Sequence, residues 1–121
     1  MRLADFQLAV AQKLGVVPVS GSLSPEDLDV IQGAYERLMA ELAEYRLTSW
    51  PPDDDVPDTY ADIFIGMTAA LCVDAFTIAE PRRSQIIGQY AWGLPQASPS
   101  ERRLRSIMRL AATGEPVTVY F

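Results

Sequence analysis

The sequence predicts an all-α fold: a small bundle of four to five helices with an extended, strand-like C-terminal tail. Three observations carry that expectation. Apolar residues recur at steps of three and four through most of the 121 residues. Serine-proline and glycine signals stand where helices should start and stop. Only residues 117–121 have the β-branched and aromatic make-up of a strand, and no second run of that kind exists to pair with them.

Each element follows from local chemistry. Leu3, Phe6, Val10 and Leu14 share one helical face, Asp5 lies in the first turn, and Gly15 suits the left-handed position after the last turn, so a helix spans 3–14. Residues 16–22 form an extended connector. Ser24 then offers an N-cap, Pro25 fits the first helical position, and Glu26, Asp27 and Asp29 complement the positive end of the helix dipole. Leu28, Ile31, Tyr35, Leu38, Leu42 and Tyr45 continue as a heptad-like stripe, with Glu36, Arg37, Glu41 and Glu44 off it, which predicts a long amphipathic helix over 25–46.

Residues 50–57 are a loop, because three prolines exclude a helix and three adjacent aspartates repel one another. A third helix starts at Asp58 or Thr59 and extends to about residue 79. It is apolar on nearly every side, with Gly66, Ala69, Ala70 and Ala75 small enough for close helix approach, so it should be the central, buried helix. Pro81 opens a fourth helix through Arg82, Ile86, Ile87, Tyr90 and Ala91, which stops near Gly93-Leu94-Pro95. In Ser98-Pro99-Ser100-Glu101 either serine can cap a fifth helix over 99–112, whose apolar face holds Leu104, Ile107, Met108 and Ala111. Thr113-Gly114-Glu115-Pro116 breaks it. The expected organisation is a helical domain over 1–114 and a partner-contacting tail over 115–121.

Charge is segregated along the chain. Residues 1–80 carry 14 acidic and 4 basic side chains, net −10, whereas residues 81–121 carry 2 acidic and 6 basic ones, net +4. All six of those cations are arginines, and the only lysine is Lys13. Arginine favours bidentate ion pairs at interfaces. The overall charge of −6 argues against non-specific duplex binding by the whole molecule. An acidic body, a basic arm and an apolar tail suit a subunit that packs head-to-tail on copies of itself or on a larger partner.

The missing chemistry narrows the function classes. With no histidine, the Ser–His and Cys–His pairs are excluded and the commonest transition-metal ligand is lost. A single cysteine, Cys72, builds neither a disulfide nor a zinc site, and it reads as a small core residue in a reduced, intracellular protein. There is no glycine-rich phosphate loop, no signal peptide, and no apolar stretch long enough to span a bilayer.

Asp53-Asp54-Asp55 with Asp58 and Asp62 reads as a solvated acidic loop rather than a calcium or magnesium site, since it lacks the glycine turn and distal glutamate of an EF-hand. Tyr90 and Trp92 read as a helix end tucked onto the core rather than a binding platform. Arg102, Arg103, Arg105 and Arg109 form the principal candidate contact surface, with positions 102, 105 and 109 on one helix face. The second candidate is the tail, where Val117, Val119, Tyr120 and Phe121 should add to a partner by strand pairing and apolar contact. The rival reading is a small regulatory or nucleic-acid-binding helical protein that uses the 102–109 face.

The order of elements resembles the small helical head–tail adaptor proteins of tailed bacteriophages, also called head-completion or tail accessory proteins. The resemblance rests on Ala11-Gln12-Lys13-Leu14-Gly15-Val16 closing the first helix, Leu38-Met39-Ala40-Glu41-Leu42 in the long second helix, and the Trp50-Pro51-Pro52 loop. It continues through Ala69-Ala70-Leu71-Cys72 and the arginine-rich segment. It implies a non-enzymatic virion protein with no cofactor or metal, assembled in the host cytoplasm and placed at the head–tail junction. It also implies a homo-oligomeric ring, commonly of twelve, that docks on the portal protein, extends the DNA channel without sequence-specific binding, and joins the tail proteins. The family's C-terminal segments reach out to grip the portal, an expectation that falls here on 117–121 and on the arginine helix.

Overall fold

A computed structural model describes residues 1–17, 21–45 and 50–113, with backbone alone from 110 onward. Among these residues are five α-helices and no strand: α1 (Leu3–Leu14), α2 (Pro25–Glu44), α3 (Asp58–Cys72), α4 (Arg82–Tyr90) and α5 (Pro99–Thr113). The tail over 115–121, with Val117, Val119, Tyr120 and Phe121, lies outside the described residues, as does the last expected residue of the second helix, Arg46.

α3 packs against all four other helices. Every residue of α3 from Ile63 to Ala70 is buried, so two turns have no solvent face. This is what an apolar circumference demands, since each side needs a neighbour to keep it from water. α1 and α3 begin side by side, with the Met1 ammonium 2.5 Å from Asp58 Oδ1. α4 runs antiparallel to α3. Arg83 pairs with Asp74 at the corner between them, and at the far end the Tyr90 ring lies over Gly66, where any Cβ would run into it. The amphipathic stripe of α2 buries Ile31, Tyr35, Leu38 and Leu42, but Tyr45 remains 54% exposed.

The caps explain the boundaries. Gly15 has φ +78°, and the Gly15 and Val16 N–H groups donate to Gln12 and Ala11 carbonyls at 3.1 and 3.0 Å, a Schellman closure of α1. Ser24 Oγ accepts the Asp27 N–H at 3.2 Å, and Pro25 occupies the first position of α2. Ser98, not Ser100, caps α5, accepting the Glu101 N–H at 3.2 Å.

α3 corrects the sequence expectation: it ends at Cys72 rather than near residue 79. Beyond it the chain turns through 73–77 and closes on Thr77, which takes φ +53°. The Thr77 and Ile78 N–H groups donate to Asp74 and Val73 carbonyls at 3.2 and 2.9 Å. The apolar pattern misled because Val73, Phe76 and Ile78 still pack on the core from this turn. Burial demands an apolar residue whether its backbone is helix or turn.

Candidate functional site

The structure divides the arginine group of α5. Arg105 bends back onto its own molecule: its Nε is 3.4 Å from Glu101 Oε2. Its guanidinium lies 4.5 Å from the Trp92 ring centroid and 5.6 Å from that of Tyr45. Glu101 is only 7% exposed and also accepts the Gly93 N–H at 2.7 Å. This carboxylate therefore ties the loop after α4 to the first turn of α5. Arg102 Nη1 donates to the Ala97 carbonyl at 3.3 Å, and Arg109 is exposed. Arg103 faces another way. The sequence placed 102, 105 and 109 on one contact face; in the fold, the middle member of that face is committed to holding the bundle together.

Arg103 joins a surface that the sequence did not reveal. It lines an open groove of about 1290 Å³, formed by α1, α3, α4 and the start of α5. Lys13 and Gln12 enter from α1, Arg82, Gln85 and Gln89 from α4, and Arg103 from α5. Asp62 of α3 is the one carboxylate among its lining residues, so the groove carries a formal charge of +2 on a protein whose total is −6. Lys13 Nζ is held in place by the Tyr90 hydroxyl at 3.0 Å and stands 4.9 Å from the Tyr90 ring centroid. Tyr90 in turn is seated on Gly66. Among the described residues, neither Arg82 nor Arg103 has an ion-pair partner. Three cations more than twenty residues apart in sequence thus line one open groove. The missed signal was Lys13: it sits in the last turn of α1, where it also suits the helix dipole, and so reads as an ordinary capping charge.

The acidic loop is used at its end and free at its tip. The Trp50 indole N–H donates to Tyr35 Oη at 2.9 Å, and the Trp50 ring stacks on Tyr60 at 5.2 Å. Gln32 Nε2 donates to the Pro52 carbonyl at 3.0 Å, and Val56 is buried. Asp55 Oδ1 accepts the Leu3 N–H at 3.2 Å, satisfying a donor at the positive end of α1. The hydrogen bond and attraction of the Met1 ammonium hold the Asp58 carboxyl below the usual carboxylate range. The tip residues Asp53 and Asp54 are exposed and unpartnered among the described residues. No three histidine, cysteine or acidic side chains meet in a metal-holding arrangement among the described residues.

Tyr90 and Trp92 both pack against the core from the half-buried positions expected of a tucked helix end. Burial pushes the Cys72 thiol up to about 11, so it is overwhelmingly protonated at neutral pH and unsuited to nucleophilic work. No helix among the described residues is long and apolar enough to cross a membrane. The chain matches no family model, no curated protein and no solved structure.

Proposed function

We propose that this chain is a structural head–tail adaptor of a tailed phage particle: a non-enzymatic subunit of a ring, commonly twelve-membered, bound to the portal. The observation that supports this reading most is the presence on one small bundle of two oppositely charged surfaces, each with charged groups that lack an ion-pair partner among the described residues. The acidic tip at Asp53 and Asp54 lies beside the start of α1, and the basic groove lies around its last turns. A ring needs such unlike patches, since each copy must present a different face to each neighbour. In this reading the ring lies at the head–tail junction, extends the portal channel for packaged DNA, and offers the tail proteins a platform. The tail residues Val117, Val119, Tyr120 and Phe121, together with Arg102 and Arg109, are the portal-facing contacts.

The test is co-purification with the portal ring encoded in the same genome, read as the mass of the assembly. Deleting residues 115–121 should leave the helical circular-dichroism signal intact and abolish portal binding. Portal binding that survives the deletion removes the tail from this role, and no portal binding by the full chain ends the adaptor reading.

The groove also keeps a second reading in play, because Lys13, Arg82 and Arg103 could meet phosphates. A nucleic-acid-binding protein would bind duplex with an affinity that falls steeply with salt. The adaptor would show little such binding.

A further inference from the structure

We propose that the acidic loop of one copy seats in the basic groove of the next: Asp53 and Asp54 enter between Lys13, Arg82 and Arg103. This deepens the ring reading above and rests on it. Four observations converge on this occupant. First, the charges match: the groove has three cations and one carboxylate, Asp62, for a net +2, and the loop tip offers two free carboxylates. Second, both surfaces are pre-formed, which lowers the ordering cost of association. The Trp50–Tyr35 and Gln32–Pro52 hydrogen bonds brace the loop, with Asp54 N–H to the Pro51 carbonyl at 3.2 Å turning its tip. Tyr90 braces Lys13. Third, the guanidinium of Arg82 packs across Gly15, and neither it nor Arg103 on α5 has a carboxylate partner among the described residues, so binding displaces no intramolecular ion pair there.

The fourth observation is spatial. The loop docks at the N-terminal end of α1 through Asp55 and Leu3, and the groove surrounds Ala9, Gln12 and Lys13 towards its other end. From Leu3, where the loop docks, to Lys13 the rise along α1 is about 15 Å. Within one copy, no hydrogen bond or ion pair joins Asp53 or Asp54 to Lys13, Arg82 or Arg103 among the described residues, so the proposed partner is a second copy, and the contact is heterologous. Carboxylates bound by arginine forks and a lysine fix register as well as attraction. The contact is exposed, so it should weaken with salt.

Lys13 makes this testable with unusual specificity, because it is the only lysine in the chain. A zero-length carbodiimide joins a lysine amine directly to a carboxylate. Isotope-labelled and unlabelled copies of the full chain, mixed in equal amounts at low salt, should yield Lys13–Asp53 or Lys13–Asp54 peptides between differently labelled copies. High salt should suppress them. Cross-links from Lys13 only to Asp62 of its own chain, or mixed-label links only to other carboxylates, would overturn the proposal.

Charge reversal gives a second, independent reading. The R82E/R103E and D53K/D54K variants should each lose self-association at least tenfold while keeping wild-type helicity. Mixed together they should re-associate, since every contact in an alternating array then pairs opposite charges. Association unaffected by either double change, or no recovery on mixing, would overturn the proposal. Retained portal binding and ring mass in those variants would leave the adaptor reading standing with a different ring contact. Salt-sensitive duplex binding abolished by R82E/R103E would instead assign the groove to a nucleic acid.

Discussion

The acidic loop and the basic groove are built in opposite ways. The loop is a run of consecutive residues, 50–57, and one of its three aspartates is used at home: Asp55 satisfies the Leu3 N–H, while Asp58, at the start of α3, meets the Met1 ammonium. The groove gathers Lys13, Arg82 and Arg103 from three helices and leaves its two arginines without ion-pair partners among the described residues. A local charge cluster is easily absorbed by the backbone around it. A cluster assembled by tertiary packing keeps its charge available, because the elements that bring it together do so through apolar contacts elsewhere. Arg105 sharpens the point: three neighbouring arginines lie within two turns of it, yet its guanidinium is bound to Glu101 and stacked over Trp92. Sequence proximity to a charge cluster therefore says little about availability.

Four perturbations break or sharpen this contrast. The largest effect should come from Leu104→Ala, which removes a fully buried side chain that seats α5 on the core. A loss of about 3 kcal/mol in denaturant unfolding is expected, and Arg103 should lose its fixed place beside the groove. Next, Gly66→Ala should displace the Tyr90 ring and with it the support of Lys13, costing about 2 kcal/mol by overpacking. A neutral outcome would mean that α4 moves freely over α3.

On the loop side, Trp50→Phe removes the indole donor to Tyr35 Oη and should cost about 1 to 2 kcal/mol, with the groove untouched. Tyr35 itself is fully buried, and that burial raises its hydroxyl pKa against the lowering effect of the Trp50 hydrogen bond.

The smallest effect is the Asp58 pairing. Its folded pKa lies below the ordinary value, so its contribution is complete above the ordinary carboxylate range and disappears as pH falls through the lower, folded value. Melting temperature followed at low salt below about pH 5 should show a slope that Asp58→Asn reduces. An unchanged slope would assign the acid sensitivity to other carboxylates.

The parts legible from the residues alone were those governed by short-range rules. The glycine after α1, the serine before α2 with the proline at its first position, and the serine before α5 each act on backbone groups within a few positions, and each set a helix boundary where expected. The end of α3 escaped because Val73, Phe76 and Ile78 obey burial, not backbone geometry, and Thr77 adopts a left-handed conformation that its β-branched side chain gives no reason to expect. Of the candidate site, the arginines of α5 were visible as a group, but their division was not.

Composition and periodicity by themselves determined the all-helical fold of the described residues, the centrality of α3 and the segregation of charge, because hydrophobic spacing and capping act over one or two turns. Only the tertiary structure decided that Arg105 is occupied, that Arg103 has no ion-pair partner among the described residues, and that Lys13 and Arg82 line the same groove. The physical reason is reach. Electrostatic availability depends on which groups lie within a few Å in space, and packing around α3 sets those distances between residues remote in the chain.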